Sequence, residues 1–326
     1  MIALLGACDS ANPFQVITDD AGVTPDVDPD NPLDANGIPT SLSRNLQAIS
    51  YTPGTGGAAG TLSVDMYALD RAENPNSDLP LEDYVPNPTL KDITPGYEVF
   101  SYQDDPLDRM FVAIVAQSED GSVVGAIVVD RGQFTKFFGG EFYSNGGNYT
   151  PGAVENDTGL VNYARKYVGL TNLDAAGTEL LPVSADEALL PGQPAQISGD
   201  IFLDASFTDN TVNGAIYNRA FTNLEPLIEA ALGGSDLNDI FLIPADITTE
   251  GTFFGSVQNG AQEDIGDFGG TFGGTNAASV AGVIQLDGDF IDLIDNEEGF
   301  GVFVLTQCGQ PGEDALCDAI PVNPNP

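Results

Sequence analysis

The chain has no histidine and no tryptophan, and only nine lysines and arginines stand against forty-nine aspartates and glutamates. Without imidazole, Ser-His-Asp and Cys-His nucleophilic catalysis, histidine-ligated zinc and histidine general bases are excluded. There is no G-x-S-x-G, no G-x-x-x-x-G-K-[ST] and no strand-linked G-x-G-x-x-G opening a helix. The formal charge of −40 excludes nucleic acid, whose phosphates must be met by Lys and Arg, and disfavours anionic lipid surfaces. Carboxylate pairs can run acid–base chemistry alone, but a chain this acidic offers many such pairs by chance. The composition therefore predicts a protein that is not an enzyme and uses no cofactor. Spread along the whole sequence, the charge reads first as solubility.

Three cysteines are present. Cys308 and Cys317 bracket "CGQPGEDALC", where Pro311 and Gly312 favour a tight return, so a disulfide is expected, worth about 2–3 kcal/mol in the chain-entropy model. A disulfide implies an oxidising compartment. Cys8 is left over. Leu5-Gly6-Ala7-Cys8 resembles a bacterial lipobox, in which the cysteine becomes the lipidated first residue of the mature protein. Residues 1–8 read as the end of a secretory signal whose positive n-region is missing, which places Met1 within a longer leader. Residues 9–45, rich in Asp, Pro, Gly and Asn with no sustained apolar period, predict an acidic flexible tether. Inside it, Asp26, Asp28 and Asp30 have the spacing that opens calcium loops. Asn31 stands where such a loop needs Gly, however, and Gly37 where it needs a bidentate Glu, so a solvated linker is the stronger reading.

From Leu46 onward apolar and polar residues alternate between Gly-rich turns, the pattern of an all-β fold. Strands are predicted at 46–51, 61–69, 97–103, 109–118, 122–130 and 135–143, with Asp120-Gly121 turning a hairpin. Five prolines and scattered acids make 70–96 a long surface loop. A composition break at 145–158 divides an N-terminal, handle-like β domain (46–150) from a second region (151–307) followed by a disulfide-closed tail (308–326). The second region carries eight predicted strands: 160–168, 195–207, 211–220, 238–243, 251–258, 266–272, 278–286 and 299–307. Asp209-Asn210 marks a tight turn, and "EPLIEAAL" (225–232) before Gly233-Gly234 reads as a helix with its stop signal. Eight short strands without a βαβ rhythm predict an antiparallel up-and-down β-barrel. "VVGAI" (123–127) before "FFGGEFYSNGG" echoes "VNGAI" (212–216) before "FGGTFGGTNA", either from shared ancestry or from common strand rules.

Read after "ISGDIFLDASFTDNTVNGAIYNR", the stretch "GGTFGGTNAASVAGVIQLDG" (269–288) resembles the terminal barrel of the transferrin-binding protein B class of surface lipoproteins. The resemblance rests on a hairpin motif of Phe272, Gly274, Asn276, Ala277, Val280 and Gly282, and on the order of lipobox, acidic tether, β domain and barrel. It covers mainly 160–307. It implies a barrel with a filled core, a lipid anchor on Cys8 in the bacterial outer membrane, surface display, and binding of an extracellular protein or small solute without catalysis. Periplasmic or secreted locations are the alternatives. The other reading of function is a structural envelope, matrix or filament protein that self-associates through β edges. "YARKY" (163–167) places Arg165 and Lys166 beside two tyrosines and reads as a strand offsetting local acids. "DFIDLIDNEEG" (289–299) reads as a loop or short helix over one barrel end.

Overall fold

The computed structural model describes residues 32–67, 81–133, 136–152, 160–177, 179–185, 189–287, 290–291, 294 and 296–319. Cys8, Asp26, Asp28 and Asp30 lie outside these residues. An antiparallel sheet is built from β1 (Leu46–Thr52), β2 (Thr61–Met66), β3 (Glu82–Pro86), β4 (Glu98–Tyr102), β5 (Phe111–Gln117), β6 (Val123–Asp130) and β7 (Gly139–Asn145), each pairing with the next. A closed barrel follows, made of β8 (Leu160–Asp174), β9 (Pro194–Ser206), β10 (Thr211–Phe221), β11 (Ile240–Asp246), β12 (Thr252–Gln258), β13 (Asp264–Gly273), β14 (Ser279–Asp287) and β15 (Glu298–Thr306). The all-β architecture of a sheet domain followed by an eight-stranded antiparallel barrel is the one expected from the alternating pattern.

The two bodies share a core. β1 and β2 alternate buried and open positions, whereas every residue of β6 and the first six of β5 are buried. Such unbroken apolar runs need cover on both faces. One face of the curled sheet is filled by Ile49, Leu62 and Val64; the other meets the outside of the barrel at Val168, Leu170, Ala281, Val283, Phe300, Val302 and Val304, all within the same cluster. The barrel interior forms a separate cluster around Tyr163, Phe268, Phe272 and Phe303. Close approach of sheet to barrel depends on glycine: a Cβ on Gly125 would lie 3.0 Å from Val302, and one on Gly139 would lie 2.7 Å from the Phe300 ring. The sheet curls until Asn45, just before β1, donates its N–H to the Gly139 carbonyl (3.1 Å) at the start of β7.

Three expectations are corrected. The tether predicted over 9–45 gives way to packed chain by Ile38, because Ile38 and Leu42 are buried at 1% and 0% exposure and α1 (Thr40–Ser43) sits against the barrel. Two isolated apolar residues make no period and gave no signal. The segment 70–96 is not one long loop: it contains β3 and α2 (Pro88–Asp92). Pro86 closes β3 and Pro88 lies in the first turn of α2, where the Asn87 side chain caps the Leu90 N–H. β8 continues to Asp174 and β7 starts at Gly139, so the predicted 160–168 and 135–143 were respectively too short and too early. The helix over 225–232 is found as α3 (Pro226–Leu232), capped by the Glu225 carboxylate and ended by left-handed Gly233.

Glu141, on β7, faces the barrel wall with no exposed surface, and among the described residues neither carboxyl oxygen has a well-formed hydrogen bond. Burial pushes its pKa well above the usual carboxylate range, against the pull of Arg44 and the Gly301 N–H, and Asp267 and Asp287 add to the rise. Arg44 is itself held by Glu298 and Asp287. Tyr143 and Tyr167, the other titratable neighbours, are raised by burial first; Asp34 and then Glu141 add to the rise at Tyr143, while at Tyr167 Arg219 opposes it and Glu141 adds to it. Because the folded state holds this proton more tightly than the unfolded chain, Glu141 contributes stability that is fully present below the unfolded-state value of about 4.3 and is lost as pH rises through the folded-state value. Glu141→Gln is expected to stabilise the protein at pH 8 and to flatten the fall in unfolding midpoint between pH 5 and pH 8, measured by thermal denaturation across that range.

Candidate functional site

The barrel closes with a slit. β15 and β8 pair from Gly299 opposite Thr171 to Val302 opposite Val168, and contact resumes in the same register at Gln307 opposite Tyr163. Between these points the ladder is interrupted, and a side chain of the sheet domain fills it. The Tyr97 hydroxyl accepts from the Val304 N–H (3.3 Å) and donates to the Lys166 carbonyl (3.2 Å), standing in for the missing pair. Arg165 lies across the same opening, donating to the carbonyls of Val304 (2.9 Å) and Gly96 (3.1 Å), with its guanidinium 5.4 Å from the centre of the Tyr97 ring. Gly96 has a φ of +86° and a Cβ there would come within 2.6 Å of Arg165, so only glycine serves at this position. Burial raises the Tyr97 pKa, opposed by Arg165 and the Val304 N–H, which keeps the phenol protonated and able to donate.

Over this slit the mouth of the curled sheet forms a cleft of about 450 Å³, lined by Tyr51, Lys91, Tyr97, Glu98, Gln117 and Glu119 among others. Tyr51 comes from β1, Lys91 from α2, Glu98 from β4, Gln117 from β5, and Glu119 from the turn before β6. The Glu98 carboxylate is fixed by the Gly60 N–H (2.7 Å). Tyr51 meets Phe100 edge-on, with centroids 6.4 Å apart, and its pKa is raised by burial first and by Glu98 second. Lys91, Glu98 and Glu119 take part in no ion pair among the described residues. An aromatic floor with a few convergent charges in a concave cleft is the ordinary setting of a small-ligand site. The cleft was missed at the sequence level because its residues come from four separate segments.

The residues singled out from the sequence lie elsewhere. Phe272 plugs the barrel interior, its ring 5.7, 5.2 and 5.3 Å from those of Tyr163, Phe207 and Phe253. Gly274, Asn276 and Ala277 turn the hairpin with φ of 75°, 58° and 51°. Buried Ala277 accepts from the Tyr163 hydroxyl at 2.6 Å. Val280 points into the core, and a Cβ on Gly282 would lie 2.2 Å from the Phe303 ring. The motif thus shapes the barrel. Cys308 and Cys317 form a disulfide with Cα atoms 5.5 Å apart, and the Cys308 N–H ties the loop to the Asn162 carbonyl of β8 at 2.8 Å. Within "YARKY", Lys166 pairs with Asp200 while Arg165 serves the slit. Phe290 and Ile291 bury into the barrel core, as expected of a segment covering its end.

No family model matches the chain, and no curated protein does. Solved structures of transferrin-binding protein B are similar to it. The protein from Haemophilus parasuis has a TM-score of 0.36 and 12% identity over 65% of this chain and 37% of its own. That from serogroup B Neisseria meningitidis has a TM-score of 0.30 and 14% identity over 64% and 35%. One from Actinobacillus pleuropneumoniae has a TM-score of 0.34 and 13% identity over 79% and 98%. This chain thus spans little more than a third of the Haemophilus and Neisseria proteins. The likeness is one of fold.

Tyr97→Phe keeps the ring that packs under Arg165 and removes the hydroxyl, leaving the buried Val304 N–H and Lys166 carbonyl unpaired. A loss of about 1–3 kcal/mol is expected in denaturant unfolding, with faster hydrogen exchange at Val304 and little change at Val280.

Proposed function

We propose that the chain is a non-catalytic lipoprotein of a bacterial envelope, lipidated at Cys8, held at the outer membrane with its barrel exposed, that binds an extracellular protein or a small solute through the cleft at the sheet mouth. One observation carries this reading. The barrel is filled by its own aromatic side chains, whereas the cleft presents charges that form no ion pair among the described residues, set on an aromatic floor. The groups that meet there favour a cationic ligand. Two carboxylates, Glu98 and Glu119, oppose a single Lys91, and the −40 charge of the chain concentrates cations at its surface. Arg165 on the Tyr97 ring already exemplifies the contact that a guanidinium or amine makes with such a floor. Self-association through β edges finds less support: the barrel has no edge, and the edge strands β1 and β7 meet through Asn45 and Gly139.

Protease treatment of intact cells is expected to release peptides from 46–326 into the supernatant; release only after lysis contradicts surface display. For the purified chain, titration calorimetry with spermidine and with a lysine-rich peptide is expected to show one saturable site, weakened about tenfold by Glu98→Gln, a loss typical of one charged contact. Equal weakening by neutralising the remote acids Asp209 and Glu250 would show that only the overall charge was being measured.

A further inference from the structure

Arg219 lies inside the barrel with 1% of its surface exposed. It leaves β10 at a bulge between Tyr217 and Ala220, where Asn218 takes a left-handed φ of 50°. Its Nη1 donates to the Asn238 carbonyl at 2.8 Å, but among the described residues Nε and Nη2 are buried without a partner. No carboxylate among the described residues forms an ion pair with it; Asp239, exposed beyond Asn238, acts on it only at a distance. A guanidinium does not release its proton in a protein. A buried cation with neither counter-ion nor full hydrogen bonding is strongly unfavourable, and such a group calls for a missing water or ion. Water would satisfy the N–H groups and leave the charge uncompensated.

The surroundings fit a small anion. Tyr167 faces Gly199 across β8 and β9, and the Arg219 Cγ stands 3.2 Å from where a Gly199 Cβ would be, so phenol and guanidinium share one layer of the barrel. Burial pushes the Tyr167 pKa up to about 12, with Arg219 pulling the other way, so the phenol is a neutral donor at ordinary pH. The Tyr167 hydroxyl lies against Gly301, where a Cβ would come within 2.2 Å, so a side chain at that position would displace the phenol.

We propose that the barrel interior holds a small monovalent anion of the halide or nitrate class, bound by the Nε–H and Nη2–H of Arg219 with Tyr167 beside it. The site is independent of the cleft and of any role in ligand binding at the cell surface. The test compares thermal unfolding of the full chain in sodium chloride, bromide or nitrate with unfolding in sodium gluconate at the same ionic strength. The midpoint of the native protein is expected to rise by about 2 °C for each tenfold increase in the small anion above its dissociation constant. Arg219→Met is expected to respond equally to all four salts. Equal slopes for the two proteins would overturn the proposal. Should the variant not fold, crystals of the native chain soaked in bromide give a second test: an anomalous peak against Arg219 is expected, and bromide confined to the surface, or water at that position, refutes the site.

Discussion

The contact between the sheet and the outer wall of the barrel is the constraint on which the rest of the structure depends. A closed barrel with a filled interior has no physical need for an apolar exterior, yet β8, β14 and β15 present Val168, Val283, Phe300, Val302 and Val304 outward. These residues are buried only because β5, β6 and β7 lie on them. In the same way, the unbroken apolar runs of β5 and β6 are tolerable in water only because the barrel covers one face and the curled sheet the other. Each body supplies the surface that the other needs.

Several local features follow from that contact. Glycines at 125 and 139 remove the side chains that would hold the layers apart. Tyr97 passes from the sheet into the barrel wall and completes a ladder that the barrel strands leave open. Beside the cleft, the Asp120 carboxylate accepts from Ser118 and Ser122 of its own turn and from Ser279 of β14. Burial opposes its charge, but these hydrogen bonds outweigh burial and hold its pKa below the ordinary value. The cleft lies where the curled sheet opens above Tyr97, so the candidate binding site and the joint between the bodies share a residue. The charges at the joint are arranged in the same spirit: Arg44 reaches Glu298 and Asp287 at its rim, leaving Glu141 inside to be neutralised by its proton.

The strands were legible in the sequence because alternation and turn chemistry are local. Asn210 and Gly121 have the left-handed φ of 55° and 71° that their turns require, and most strand ends fall within two residues of expectation. The hairpin of Phe272 to Gly282 was recognisable for the same reason: each residue answers to a neighbour in its own hairpin or to the ring it must admit. The echo between 123–147 and 212–277 corresponds to adjacent strands in the sheet but to β10 and β13, with two strands between them, in the barrel, which fits common strand rules better than repeated architecture. What could not be read was long-range. Tyr97 and Val304 are separated by 207 positions, and nothing around either residue announces the pairing. The remaining signals were faint: one Glu within "FFGGEFY", one Arg within an otherwise neutral strand, and a Pro-Gly-Tyr corner. Each marks a buried polar group whose surroundings are assembled from distant parts of the chain.

If the sheet and the barrel wall form one core, they unfold together. Native-state hydrogen exchange across a denaturant series tests this most directly, by comparing the most protected amides of β5 and β6 with those of β14 and β15. The account predicts that both sets converge on one opening free energy with the same denaturant dependence. A sheet whose amides exchange through a separate, lower-energy opening while the barrel stays protected would contradict it.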